Sequence, residues 1–235
     1  MIPHRHGFGF PFLLASLLAA CATAPPTPPR FGREPVERNY LPPADPPPPV
    51  PVIATAVPPE AAIARLAEAL GAEKSRMRRG TAEDGTAWLE LTSSGDPEPF
   101  VDCGSFELHE PGAPPRRIPA ARLDLRIPLA PPERREVLLR QLRLDGRLLA
   151  IARPSEPGSR LEVRATYVLT RTVDRVALDG RVLDTQRETA AFETGTTGRF
   201  AQGLVCRPSG RLEQAVVRAA EQLLNPADAS AGGPR

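Results

Sequence analysis

The side chains able to do chemistry in this chain are few. There are three cysteines, Cys21, Cys103 and Cys206, and three histidines, His4, His6 and His109. Asp102, Glu107 and Glu110 gather around the second cysteine and are the carboxylates best placed in sequence for acid/base work such as glycan cleavage. That chemistry needs two carboxyl groups converging at a set separation, whereas acids alternating near a strand are more often a solvated face. A Ser-His-acid arrangement would have to use His109, in His109-Glu110-Pro111 beside a turn. A zinc centre built on two or three histidines needs more than this one, because His4 and His6 fall in an N-terminal leader. No Gly-x-Ser-x-Gly elbow, Gly-x-x-x-x-Gly-Lys phosphate loop or dinucleotide fingerprint occurs. The expectation is a protein with no catalytic residue, no cofactor and no metal.

The leader supplies the most specific signal. Arg5, flanked by His4 and His6, is followed by an uncharged run from Phe8 to Ala20, the pattern of a secretory leader. The run is shorter than the roughly 20 apolar residues that a permanent spanning helix needs. It ends in Leu18-Ala19-Ala20-Cys21, and these residues resemble the lipobox of bacterial lipoproteins. The resemblance implies that residues 1–20 are a signal peptide removed by a dedicated peptidase, and that Cys21 becomes the lipidated first residue. Several acyl chains, at about 0.8 kcal/mol per buried methylene, hold a protein far more firmly than one. An ordinary leader cut at an Ala-x-Ala site would instead leave Cys21 bare. Residue 22 is alanine. In enterobacterial lipoproteins an aspartate there retains the protein at the inner membrane, so the resemblance points to the outer membrane and the periplasm.

Setting Cys21 aside leaves Cys103 and Cys206, an even pair in a compartment where disulfides persist. A structural disulfide is the expectation, and closing a loop of about a hundred residues is worth up to ~4.7 kcal/mol in the chain-entropy account. Buried free thiols and a redox pair are the alternatives. The redox reading lacks a Cys-x-x-Cys motif and any local arrangement that would stabilise a thiolate.

The elements that must position these residues follow from composition and periodicity. Of the 30 prolines, 14 fall from Cys21 through Pro59, including the run Pro46-Pro47-Pro48-Pro49, so residues 21–58 read as a disordered polyproline-type tether. Phe31, Tyr40 and Leu41 interrupt it and could dock in a partner's groove, although a solvated tether with incidental apolar residues is the plainer reading. A single domain is expected over residues 59–226, with a disordered tail at 227–235.

Within the domain, Ile63, Leu66, Ala67 and Leu70 recur at helical spacing between Pro59 and the stop at Gly71. Strand patterns cover Ala87 to Thr92, Phe100 to Leu108 and Leu123 to Leu129. Glu133 to Leu144 is ambiguous between helix and strand, and Asp145-Gly146 fits a hairpin turn. Leu161, Val163, Ala165, Tyr167 and Leu169 alternate strictly with their neighbours, which demands one buried face. Asp179-Gly180 signals a type I′ turn, returning the chain through Arg181 to Thr194. A closing helix spans Gly210 to Leu224, with Ser209 as cap and Leu212, Val216, Ala219, Ala220 and Leu223 as its stripe.

These elements predict an α+β fold, an antiparallel sheet with an N-terminal and a C-terminal helix packed on one face. That order resembles a helix-grip domain. With the lipidated N-terminus and long tether, its architecture resembles the BamC-type lipoproteins of the outer-membrane barrel assembly machine. The resemblance implies a non-catalytic accessory subunit that binds other envelope proteins; a module binding a lipid or glycan fragment between the sheet and the last helix is the alternative. Nucleic acid is not an expected partner. Lys74 is the only lysine, the net charge is +2, and the arginines are scattered among acids with no basic stripe.

Overall fold

The computed structural model describes residues 39–71, 76–108, 115–122, 124–128, 136–177 and 179–224. Cys21, Phe31, His109, Glu110 and the tail 227–235 lie outside the described residues. The first half of the chain forms β1 (Tyr40–Leu41), β2 (Val52–Thr55), α1 (Pro59–Leu70), β3 (Met77–Thr81), β4 (Ala87–Gly95), β5 (Val101–Asp102), β6 (Ser105–Leu108), β7 (Arg116–Pro119) and β8 (Asp124–Pro128). The second half forms β9 (Glu136–Pro154), β10 (Ser159–Ala177), β11 (Val182–Glu193), β12 (Gly198–Arg199), β13 (Val205–Pro208) and α2 (Arg211–Leu224). The class is α+β, with antiparallel strand pairing throughout.

The principal sheet has seven strands in the order β11-β10-β9-β4-β3, with β2 on β10 and β8 on β9. Two three-stranded sheets, β1-β6-β7 and β12-β13-β5, complete the fold. The alternation that predicts one buried face runs on through β10, whose Leu161, Val163, Ala165, Tyr167 and Leu169 are all within 1% of complete burial. α1 packs on α2, β4 and β9, and α2 packs on β10. As expected, α1 has proline in its first turn and ends at Gly71 in the left-handed conformation.

Two turn assignments change. Asp145 and Gly146 lie inside β9, a 19-residue strand, and do not form a hairpin. Gly146 pairs with Tyr167 on β10 and Ser93 on β4, with its φ outside the left-handed region. A Cβ on it would lie 3.9 Å from Leu212 Cδ2, so this glycine marks where α2 rests on the sheet. Asp179-Gly180 does close a hairpin, but only Gly180 has positive φ, whereas a type I′ turn needs it at both central residues. Gly180 N–H donates to Ala177 O at 3.0 Å, and the register slips between Arg175 and Val176 to absorb the extra residue.

The segment from Tyr40 to Thr55, which composition assigns to the tether, is bonded to the domain. Leu41 pairs with Ser105, and Val52–Thr55 pairs with the start of β10. The Tyr40 hydroxyl accepts Val205 N–H at 3.0 Å and can donate to Cys103 O or Val205 O, each at 3.0 Å. Its ring packs on Phe106, 5.7 Å between centroids. Farther along, Arg207 pairs with Asp45 and donates to Pro46 O. Of the apolar residues that interrupt the prolines, Tyr40 and Leu41 thus dock on this chain's own surface.

The cysteines are joined as expected. Cys103 and Cys206 form a disulfide across 103 residues, and both are fully buried. It links the β5–β6 junction to β13, the two main-chain segments that the Tyr40 hydroxyl also bridges.

Two glycines let this strap approach. A Cβ on Gly104 (φ 75°) would lie 2.1 Å from Leu41 O, and one on Gly158 (φ 89°) would lie 2.2 Å from Thr55 O. Backbone oxygens cannot swing aside, and left-handed φ adds strain of about 1–3 kcal/mol for a residue with a side chain. Gly104→Ala and Gly158→Ala should therefore lower the urea midpoint clearly more than Gly71→Ala, which is also left-handed but has nothing within 4 Å. Equal losses at the three positions would show that the strap is not held against the domain.

Candidate functional site

Of the carboxylates that sequence offers as acid/base candidates, Asp102 and Glu107 are separately engaged, and Glu110 lies outside the described residues. Asp102 on β5 accepts from Arg207 Nε at 3.0 Å, and its other oxygen accepts Gly104 N–H at 2.8 Å. Glu107 on β6 faces Arg117 at 3.8 Å in a different sheet. Asp102 is thus part of the ionic clasp on the strap, bridged through Arg207 to Asp45.

A buried polar group that periodicity missed lies under α2. The buried stripe of that helix is Glu213, Val216, Ala220 and Leu224, so a carboxylate occupies the position closest to the sheet at its N-terminal end. Glu213 is 1% exposed. Its Oε2 accepts the Tyr167 hydroxyl at 2.8 Å and its Oε1 accepts the Thr194 hydroxyl at 2.6 Å, while Ala165 N–H donates to Thr194 Oγ1 at 2.7 Å. Each carboxylate oxygen thus has a donor, the condition under which a buried acid is tolerated. The Tyr167 ring stacks on Phe192, 5.3 Å between centroids. The cluster fixes α2 to β10 and to the end of β11.

Among the described residues, a concave surface lies between α1 and the core-facing side of β3. A groove of about 730 Å³ has Ala64, Ala67 and Met77 as its apolar floor and Arg65, Glu68 and Arg79 on its rim. It adjoins a smaller recess of about 240 Å³ reaching Glu60 and Thr81. β3 is the outer strand of the principal sheet, and its second edge pairs with no strand among the described residues. Arg78 and Arg79 point to opposite faces of that strand, since Arg79 shares the register of buried Leu89 and Arg78 that of Glu90. Among the described residues, no acid pairs with Arg65, Arg78 or Arg79. Arg147 pairs with Glu90, Arg153 with Glu162 and Arg175 with Glu136, while other exposed arginines such as Arg143 and Arg199 likewise face no acid among the described residues. The groove thus combines a strand edge that is open among the described residues, an apolar floor and arginines on its rim beside Glu68. Periodicity could not find it, because Met77 to Thr81 is too short and too charged to read as a strand.

The two tyrosines of the chain are Tyr40 and Tyr167. Burial pushes the Tyr40 phenol above its ordinary value, aided by Asp102 and opposed by Val205 N–H. Burial beside the Glu213 carboxylate raises that of Tyr167 much further. Raised folded-state values mean that this stabilisation is complete below the ordinary phenol value of 10.0 and is lost as the pH climbs above it, because the unfolded chain ionises first. An alkaline titration of the native protein should therefore show each phenol less than half ionised at pH 10.0, with Tyr167 ionising after Tyr40. Half-ionisation of one residue at that pH in folded protein would contradict the burial of these hydroxyls. Compared with known proteins, the chain matches no family model, no curated protein and no solved structure.

Proposed function

We propose that this protein is a lipoprotein of the bacterial outer membrane, held by the lipid on Cys21, whose α+β domain is a non-catalytic binding subunit for other envelope proteins. The observation that carries the export half is the Cys103–Cys206 disulfide. Such bonds persist in oxidising compartments and are rare in the cytosol, and the lipobox-like leader supplies the route. The binding half draws on the groove beside β3, a surface of packed apolar floor and unmatched charge with no catalytic constellation around it. Two helices packed together on the principal sheet are also in keeping with the helix-grip likeness.

The docked strap changes what the anchor does. With the chain bonded to the domain from Tyr40 onward, only residues 22–38 are left to bridge lipid and domain. At full polyproline extension, ~3.1 Å per residue, that stretch spans at most about 50 Å. A tether ending at Pro58 would reach about twice as far. The domain works close to its own membrane, within reach of membrane-embedded partners and periplasmic chains arriving there.

The test is in-cell crosslinking and affinity purification from membranes, with wild type beside Cys21→Ala. Wild type should fractionate with the outer membrane, carry acyl mass on its N-terminal peptide and retain a defined envelope protein, while Cys21→Ala should appear in the soluble periplasm without it. An unmodified Cys21 peptide from membrane-associated wild type would refute the lipid anchor.

A further inference from the structure

We infer that the free edge of β3 and the groove beside it take an extended acidic peptide, added to the sheet as an extra antiparallel or parallel strand. This deepens the binding-subunit reading above and rests on it.

Three observations converge on that occupant. First, among the described residues β3 ends the principal sheet, and an edge strand turns one row of N–H and C=O groups outward, where an incoming strand can pair with them. Second, a strand laid on that edge would present alternate side chains to the groove, where Ala64, Ala67 and Met77 form an apolar floor for small or branched residues. Third, Arg78 on one face of the strand, with Arg79 and Arg65 on the other, have no acid paired to them among the described residues. Glu68 and Glu60 border the groove from α1 and set a limit on how acidic the groove-facing positions can be. The matching peptide therefore alternates, with apolar residues toward the groove and acids on the opposite face toward Arg78, plus an acid at the end that meets Arg79.

The opposite sheet edge makes the contrast. β11 carries Asp184, Arg187, Glu188 and Glu193, mixed charges that suit a solvated edge. Edge strands are commonly protected by charge against self-pairing, and two adjacent arginines on β3 also disfavour a second copy of the same strand there. The residues that guard β3 against itself select an acidic partner.

The experiment is fluorescence-anisotropy binding to the full chain purified in detergent. The probe is a fluorescein-labelled octapeptide, Glu-Val repeated three times and followed by Glu-Glu, whose last residue places an acid on the same face as the valines, toward Arg79. Its counterpart with Lys in place of Glu, and two versions N-methylated on one or the other alternate set of amides, complete the panel. Strand addition uses only one set of peptide amides, so methylation of one set should abolish binding and methylation of the other should leave it within about 2-fold. The lysine peptide should not bind. Arg79→Glu and Arg78→Glu should each weaken the glutamate peptide at least about 10-fold, and Arg181→Glu, the same charge change at the remote β10–β11 turn, should leave it within about 2-fold. All three variants must retain the wild-type unfolding midpoint. Equal tolerance of both methylated sets, equal weakening by Arg181→Glu, or no binding at all would overturn the proposal. So would a dimer in sedimentation that Arg79→Glu dissociates, since a second copy would then own the edge. If these fail while an envelope protein still co-purifies with membrane-bound Arg79→Glu, the binding-subunit reading stands and only its site is lost.

Discussion

β9 and β10 pair without a break over 19 positions, and nearly everything else in the fold is hung on that ladder. At about 3.3 Å per residue it is on the order of 60 Å long, several times the usual strand. A shift of one residue would turn every core side chain of a strand toward solvent, so the ladder has one acceptable register. That register places Leu142, Leu144, Leu148 and Ala150 of β9 on the same face as Leu161, Val163, Tyr167 and Leu169 of β10. Once the face is fixed, β4 and β8 take different stretches of the free edge of β9, and β2 and β11 divide that of β10.

A core face that long exceeds what two short helices can cover. α2 lies where Leu212 meets Gly146, Glu213 meets Tyr167, and the Thr55 hydroxyl reaches Leu224 O at 3.4 Å. The other half is closed by short strands and turns, and there the core positions include two arginines, Arg140 and Arg171, each 2% exposed. Arg140 donates to Ala120 O at 3.0 Å and lies 5.1 Å over the Phe106 ring, while Arg171 donates to Gln202 Oε1 at 2.8 Å. A guanidinium has five donors and a flat apolar face, so it can hold irregular backbone that offers carbonyls and no regular apolar stripe. One half of the sheet is thus covered by apolar helix faces and the other is latched by arginine. Glu213 has the complementary role on the helical side, because its two specific donors permit only one rotation of α2.

Local pattern revealed the parts whose signal is local. α1, α2, the alternation of β10 and its return through β11 could all be read, since each is fixed by residues within a few positions of one another. The disulfide followed from parity of the cysteine count and compartment. What could not be read depends on partners far along the chain. Asp145-Gly146 has the composition of a turn, yet β4 and β10 grip it from both sides and Leu212 of α2 rests near it. Glu213 looks like a solvent-facing acid until Tyr167 and Thr194 arrive from other strands. Prolines from 42 to 51 look like free spacer, but they need no ladder hydrogen bonds of their own to lie along a surface, and Tyr40, Asp45 and β2 supply the attachments. Of the candidate site, only the absence of conventional motifs was legible; the groove is made by tertiary placement of a five-residue strand.

The strap begins at one end of the long ladder, at Tyr40, and runs to the other, where β2 joins the start of β10 and the groove also lies. Tyr40 packs on Phe106, whose ring lies under Arg140 of β9. β3 instead reaches the ladder through the stretch of β4 that pairs with Leu148–Ala152. About ten residues of β9 separate the two, on the order of 30 Å along the strand. The described chain therefore begins at the disulfide end and leaves the β3 edge at the far end. The disulfide and the Tyr40 hydroxyl join the same pair of main-chain segments, so the place where the strap begins is also where the fold is covalently closed. An edge strand is held by one ladder where an inner strand is held by two, so the covalent closure and the open edge lie at separate places along the same ladder.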